Sequence, residues 1–270
     1  MKVAYQTNTW GGVVGHPAGV TSVKDLYYLA NGSTEQALTD IAATGYAGVE
    51  LFDGNVMQYA GREAELCAHL EQAGLRLVGV YSGANFIYED ILEDELTKIA
   101  GAARLAAGLG AEHLVVGGGA ARAGGVRDED YRRLGEGLER VVALARDVGL
   151  VPSFHPHLGT IVESPAQIAR AFAYTSINFC PDTAHLQAAG GDPADLIRSY
   201  ADRIRYVHLK DYQDGAFLPL GQGTQNLDEV LDALRSLQYD GWITVELDSY
   251  PGAPIEGARI SKAFLDARAG

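Results

Sequence analysis

Four of the chain's seven histidines, His155, His157, His185 and His208, sit with Asp182, Lys210, Asp211, Glu246 and Asp248 at the ends of short apolar runs. Imidazole titrates near neutrality and can move protons, and imidazole mixed with carboxylate makes a ligand set for a divalent ion. A Glu inside a run such as Val245-Glu246-Leu247 is costly to bury unless it is paired or bound to a cation. Taking one ligand from each of four consecutive runs gives the metal set His155, Asp182, His208 and Glu246. Such a set suits one divalent first-row metal, Mn2+ first, with Co2+, Zn2+ or Fe2+ also admissible and Mg2+ less so as imidazoles accumulate. No cysteine lies among these residues, so a structural thiolate zinc site is excluded. His157 lies two residues from His155, and the strand period of two points both the same way. That leaves His157 as candidate base, and His185 or Lys210 as candidate acid or substrate clamp. Gln6, Trp10 and Glu50 are the candidate substrate contacts. The competing reading of the same residues is a salt-bridged plug, and it applies most strongly to Glu50.

Positioning these groups requires eight runs to become neighbouring strands. The runs are Val3–Thr7, Gly48–Phe52, Arg76–Tyr81, His113–Val116, Val151–His155, Ser176–Cys180, Tyr206–Leu209 and Trp242–Leu247. Amphipathic stretches at Glu35–Thr44, Arg62–Ala73, Glu95–Leu109, Asp130–Val148 and Leu227–Leu237 separate them. Strands joined by helices of about ten or more residues pair in parallel, and eight such units in 270 residues predict an α/β fold, a (β/α)8 TIM barrel. The residues after the first run, Asn8-Thr9-Trp10-Gly11-Gly12, lack the spacing of a dinucleotide-binding fingerprint, which disfavours an open doubly wound sheet. No composition break divides the chain, so residues 1–270 read as one domain. The longest irregular stretch, Trp10–Ser33, falls between the first strand and its helix, over the strand ends where barrels of this kind keep their active sites. Its glycines suit a lid, and Trp10, Tyr27 and Tyr28 suit covering a ring-shaped ligand; an insertion packed on the rim is the plainer alternative.

Lys plus Arg number 21 against 35 for Asp plus Glu, a formal charge of −14. So acidic a surface repels phosphate backbones and anionic lipids, which argues against nucleic acid or membrane as partner. Two cysteines, Cys67 and Cys180, are too few for a disulfide framework. With no charged-then-apolar leader and no long apolar run, the expectation is a cytoplasmic chain.

The segment His155-Pro156-His157-Leu158-Gly159-Thr160, then Asp182-Thr183-Ala184-His185-Leu186, Gly190-Gly191-Asp192-Pro193 and Val207-His208-Leu209-Lys210-Asp211, resembles the xylose isomerase-like TIM-barrel superfamily, and within it inosose (2-keto-myo-inositol) dehydratases. Pro219-Leu220-Gly221-Gln222-Gly223 and the Gly241–Glu246 strand fit as well; together these motifs cover about the last 120 residues, and Gly45–Leu51 fits more loosely. The resemblance implies that Asp182, His208 and Glu246 hold a metal. The fourth ligand, a glutamate in many superfamily members, is His155 here, a departure that fits the dehydratase branch better than the ketose epimerases. The opening Tyr5–Gly12 with its long loop also resembles large subunits of bacterial C-glycoside deglycosidases. Both resemblances imply a metal-dependent lyase that forms an enolate and eliminates a β-substituent from a keto-cyclitol or 3-keto-sugar, with an isomerase or epimerase as the alternative. A DNA-repair endonuclease on the same barrel needs a basic groove that this chain lacks. A homo-oligomer or a second small subunit is compatible with the sequence.

Overall fold

The computed structural model describes residues 2–11 and 27–268. Runs rich in β-branched and aromatic residues form parallel strands buried on both faces, as a helix-covered sheet requires. They are β1 (Lys2–Gln6), β2 (Gly48–Phe52), β3 (Arg76–Gly83), β4 (His113–Gly117), β5 (Val151–His155), β6 (Asn178–Phe179), β7 (Val207–Leu209) and, beyond the antiparallel hairpin β8 (Asp211–Gln213) and β9 (Ala216–Leu218), β10 (Trp242–Val245). The order is β6-β5-β4-β3-β2-β1-β10-β7. The ends of that sheet meet through two isolated parallel bridges, Phe179 with Ile204 and Asp182 with His208, with the His208 amide donating to Pro181 O at 2.9 Å. The eight expected runs are the eight barrel strands; β2 and β5 have the expected bounds, whereas β6 is shorter.

Around the strands lie α1 (Thr34–Ala43), α2 (Asp53–Met57), α3 (Glu63–Ala73), α4 (Glu89–Gly108), α5 (Asp128–Asp147), α6 (Pro165–Phe172), α7 (Thr183–Ala188), α8 (Pro193–Ser199), α9 (Leu227–Ser236) and α10 (Pro254–Asp266). Their starts follow from capping chemistry: Ser33, Asp182, Asp192 and Asn226 each accept an amide hydrogen from the first turn beyond them. The main core lies between strands and helices, and a second cluster, with Ala4, Val78, Val115, Tyr206 and Trp242, contributes buried side chains of the barrel strands.

Of the expected loop over residues 10–33, residues 12–26 lie outside the described residues, so the lid expectation falls largely there. The returning end is pinned by short polar side chains of α2. Asp53 accepts the Tyr28 amide at 2.8 Å, and Asn55 exchanges hydrogen bonds with both backbone groups of Ala30.

His113 at the start of β4 is buried, its ring 4.6 Å from that of Tyr206, and its Nδ1 has no partner. Burial lowers its pKa from 6.5 to about 4, against weaker opposing pulls from Glu112 and Glu50. Between those values the unfolded chain binds the proton and the folded chain does not. Stability is therefore full above pH 6.5 and falls as the pH drops toward 4. His113→Phe, which keeps the ring contact, should remove about 1 kcal/mol of the stability lost between about pH 7 and 5.5. Denaturant midpoints at the two pH values check this; an unchanged difference would show that the imidazole is not the source.

Candidate metal centre and active site

Most polar groups of the site leave the barrel at or just past a strand end; Glu50 and His208 lie within β2 and β7, and His185 lies in α7. His155 ends β5, Asp182 follows β6, His208 is the middle residue of β7, and Glu246 follows β10. All four are buried, and one ligand atom from each lies within 4.8 Å of the others. His155 Nε2 is 3.7 Å from both Asp182 Oδ2 and Glu246 Oε2. His208 Nδ1 comes within 2.7 Å of Glu246 Oε2. Asp182 Oδ2, Glu246 Oε2, His208 Nδ1 and both ring nitrogens of His155 lack a partner in hydrogen-bonding orientation, although Glu246 Oε2 pairs with His208 and Asp182 Oδ2 with Lys210 as ions. Buried polar atoms are nearly always satisfied, so this many orphans facing one point call for an occupant. Two carboxylates and two imidazoles within ligand reach fit a divalent ion.

Asp182 has two uses. Its Oδ1 caps α7 by accepting the His185 amide at 2.9 Å, which locks the rotamer and leaves Oδ2 for the cluster. Burial alone would raise its pKa, but Lys210, then His185 and His155, hold it well below the usual carboxylate range. Glu246 likewise opposes its burial through Lys210 and His208 and falls to about 2. Burial pushes His208 down, but Glu50 and Glu246 more than reverse it, to about 10.

Lys210 is fully buried, with Nζ 3.5 Å from Asp182 Oδ2 and 3.3 Å from both Glu246 Oε1 and Asp248 Oδ1. Burial opposes its charge, yet Asp182, Asp248 and Glu246 raise its pKa, so it stays an ammonium. The same Nζ lies 3.3 Å from His185 Nε2. An ammonium can only donate, so Nε2 accepts and the His185 proton resides on Nδ1, which is buried without a partner. His157 is half-buried, its ring centroid 3.7 Å from that of His185. Its Nδ1 lies 2.6 Å from Leu158 O, and a carbonyl only accepts, so Nδ1 carries the hydrogen and Nε2 keeps its lone pair. Burial, with His155 and Lys210 nearby, lowers the His157 pKa and keeps the ring neutral. Burial, His157 and Lys210 lower that of His185 further.

The three expected substrate contacts are placed differently. Trp10 is buried edge-on against Tyr5, with centroids 5.6 Å apart, and its Nε1–H donates to Asp40 of α1 at 2.8 Å. These contacts fasten α1 to the barrel. Gln6 and Glu50 are fully buried beside His208: Gln6 Nε2 donates to Glu50 Oε1 at 3.0 Å, and Glu50 Oε2 is 3.2 Å from His208 Nε2. Both thus face His208 and, through it, the cluster.

Other contributors went unassigned in the sequence. Asn8 Nδ2 donates to Glu246 Oε1 and Asp248 Oδ1, both at 3.3 Å. Phe217 of β9 sets its ring edge-on to His185, with centroids 4.8 Å apart, and lies 4.7 Å from Lys210 Nζ. Tyr81 of β3 stands edge-on to His155 with centroids 5.5 Å apart. Gly221 and Gly223 send their amides to Asp211 Oδ2 at 2.9 Å each, so that turn grips a carboxylate of its own chain and holds the hairpin in place.

The model of the xylose isomerase-like TIM barrel matches residues 38–268. The chain belongs to this family. Among its relatives, an inosose dehydratase of Geobacillus kaustophilus (strain HTA426) is 28% identical over 273 residues, covering 86% of this chain and 86% of that protein. An inosose dehydratase of Lacticaseibacillus casei is 29% identical over 269 residues, covering 86% of this chain and 89% of its own length. Two solved structures share the family fold. The 3-keto-D-glucoside 4-epimerase of E. coli has a TM-score of 0.75 at 17% identity, with 99% of each chain covered. The IOLI protein with a binding zinc atom has a TM-score of 0.77 at 15% identity, with 99% of this chain and 97% of that one covered. Among the described residues, no helix is long and apolar enough to cross a membrane.

Single substitutions His155→Ala, Asp182→Asn, His208→Ala and Glu246→Gln should each lower the divalent metal retained by the purified chain, measured by elemental analysis. Chelation should lower the Tm, and re-adding Mn2+ or Zn2+ at about 100 times its Kd should restore about 2.7 kcal/mol of stability. A Tm indifferent to both treatments would show that the four side chains hold no ion.

Proposed function

We propose that this chain is a divalent-metal-dependent lyase that dehydrates a keto-cyclitol or a 3-keto-sugar through an enolate. One observation carries the proposal: ligand atoms of His155, Asp182, His208 and Glu246 converge within 4.8 Å of one another beside a neutral His157 that has a free Nε2 lone pair. The inosose dehydratase relatives support the choice of elimination, and the donor set supports a resident dication, for which Mn2+ is the first candidate and Zn2+ the second.

When bound, the ion supplies Lewis acidity that makes the carbon next to a substrate carbonyl more acidic. The chain's residues do the rest. His157 Nε2 takes the proton from the carbon between the ketone and the leaving group, and the C–H electron pair becomes the enolate. The enolate re-forms the carbonyl, its electrons move into a new C=C bond, and the β-hydroxyl departs. The imidazolium returns its proton to that hydroxyl, so water leaves and neutral His157 is restored. His185 offers its unpaired Nδ1–H to a substrate oxygen. Lys210, kept charged by three carboxylates, fixes the His185 tautomer and is a positioning group with no proton to spare. Buried aromatic and aliphatic walls around these groups keep their hydrogen bonds out of competition with water.

Keto-inositols and 3-keto-glycosides offered to metal-loaded protein should yield an enone that absorbs in the ultraviolet. Solvent deuterium entering recovered substrate without water loss would instead identify an epimerase. His157→Gln should reduce kcat by about 10²- to 10⁴-fold with metal content unchanged. Near-normal turnover of that variant would move the base to another residue.

A further inference from the structure

We infer that Glu50 is a positioning residue for the metal centre: its carboxylate accepts the Nε2–H of His208 and thereby aims the Nδ1 lone pair at the other three ligands. The inference rests on the reading of His155, Asp182, His208 and Glu246 as metal ligands. Glu50 is fully buried, and its two oxygens lie 3.1 and 3.2 Å from His208 Nε2, on the opposite edge of the ring from Nδ1. Its oxygens are engaged by His208, Gln6 and Tyr206, which favours a supporting role over the substrate contact expected from sequence. An ion-pair plug accounts for the 2.7 Å contact of His208 Nδ1 with Glu246 Oε2 but not for the whole set, because it leaves both ring nitrogens of His155 without a hydrogen bond while Nε2 lies 3.7 Å from Asp182 Oδ2 and from Glu246 Oε2.

The backbone is shaped to deliver this carboxylate. Parallel pairing of β2 with β3 runs Val49 opposite Leu77 and then Glu50 opposite Gly79, a register shift that skips Val78. Such irregularities re-aim a side chain and are common beside active sites. A Cβ on residue 79 would lie 3.2 Å from Glu50 Oε2 and 3.2 Å from the Tyr206 hydroxyl, so glycine leaves the room that the carboxylate needs. From the other side Gln6 Nε2 donates to Oε1 at 3.0 Å, and the Tyr206 hydroxyl, itself accepting from Thr244 Oγ1 at 2.5 Å, also bonds Glu50. Metal-ligating histidines commonly pass their second N–H to a carboxylate, which fixes tautomer and ring angle. Glu50 is that partner here, and the choice of nitrogen follows: Nε2 bears the hydrogen and Nδ1 is the ligand.

Two measurements test this. In wild-type protein labelled with 15N-histidine and loaded with Zn2+, long-range 1H–15N spectra should show His208 as the Nε2–H tautomer; an Nδ1–H tautomer would overturn the inference. Calorimetric titration with Mn2+ should give Glu50→Gln and Glu50→Ala a Kd about 10- to 100-fold weaker than wild type. The visible bands of bound Co2+ should shift as well, because the imidazole is no longer held at one angle. A purely structural role predicts a lower Tm with wild-type Mn2+ affinity and wild-type Co2+ bands, and that result would overturn the inference while leaving the metal site intact. A wild-type chain that binds neither Mn2+ nor Co2+ would overturn the metal reading and this inference with it. Should Glu50→Ala fail to fold, the near-isosteric Glu50→Gln and the wild-type tautomer still decide.

Discussion

Charge taken out of water must be balanced where it is buried, and that demand organises the upper half of this barrel. Four buried carboxylates, Glu50, Asp182, Glu246 and Asp248, crowd into the space that an aliphatic core would otherwise fill. Lys210 answers three of them at once, and His208 lies between Glu50 and Glu246. A compact ammonium does this better than a guanidinium, whose planar fork matches one carboxylate rather than three converging ones. The formal balance, four negative charges against Lys210 and protonated His208, is still negative by two, a deficit that matches one dication. Proton chemistry inherits this arrangement. Because Lys210 is committed to carboxylates it can only donate to His185, and because His157 spends Nδ1 on a backbone carbonyl its other nitrogen is free.

Rigid secondary structure supplies the precision. Asp182 is at once a helix cap and a site residue, so the rotamer that starts α7 is the rotamer that points Oδ2 inward. Asp211 gathers the amides of Tyr212, Gly221 and Gly223 at 2.8 to 2.9 Å, and the hairpin bearing Phe217 is fixed by that carboxylate. Substitution at either aspartate would thus act on geometry as well as on charge.

The barrel and the four-residue cluster were legible in the sequence because both follow from period and placement. Residues at the ends of parallel strands must share one rim, whatever their neighbours do. The partners of Trp10, Gln6 and Glu50 were not legible, since sequence order says which strand a side chain leaves but not which neighbour it will meet. The register shift beside Glu50 depends on which residue of β3 is skipped, and no local signal in Leu77-Val78-Gly79 announces that. The hairpin carrying Phe217 did have a signal: Asp214-Gly215 is a turn pair that favours positive φ, and the two residues adopt 49° and 87°. The short helices α7 and α8 open at Asp182-Thr183 and Asp192-Pro193, whose capping chemistry is visible only when the element before each is known to end.

Where the cylinder joins itself has a consequence of its own. Strand β6 contributes two residues, and the join to β7 is made of two isolated bridges, whereas the other neighbours share two to five paired positions. His155 and Asp182 belong to one flank of that join and His208 and Glu246 to the other. Whatever the four side chains grip therefore works as a clasp on a hoop at its thinnest point. The seam is also tied by Thr183, whose hydroxyl donates to Lys210 O at 2.7 Å and accepts the Lys210 amide at 3.0 Å. An ion held there would add to those ties, so filling the clasp would brace the hoop as well as supply its chemistry.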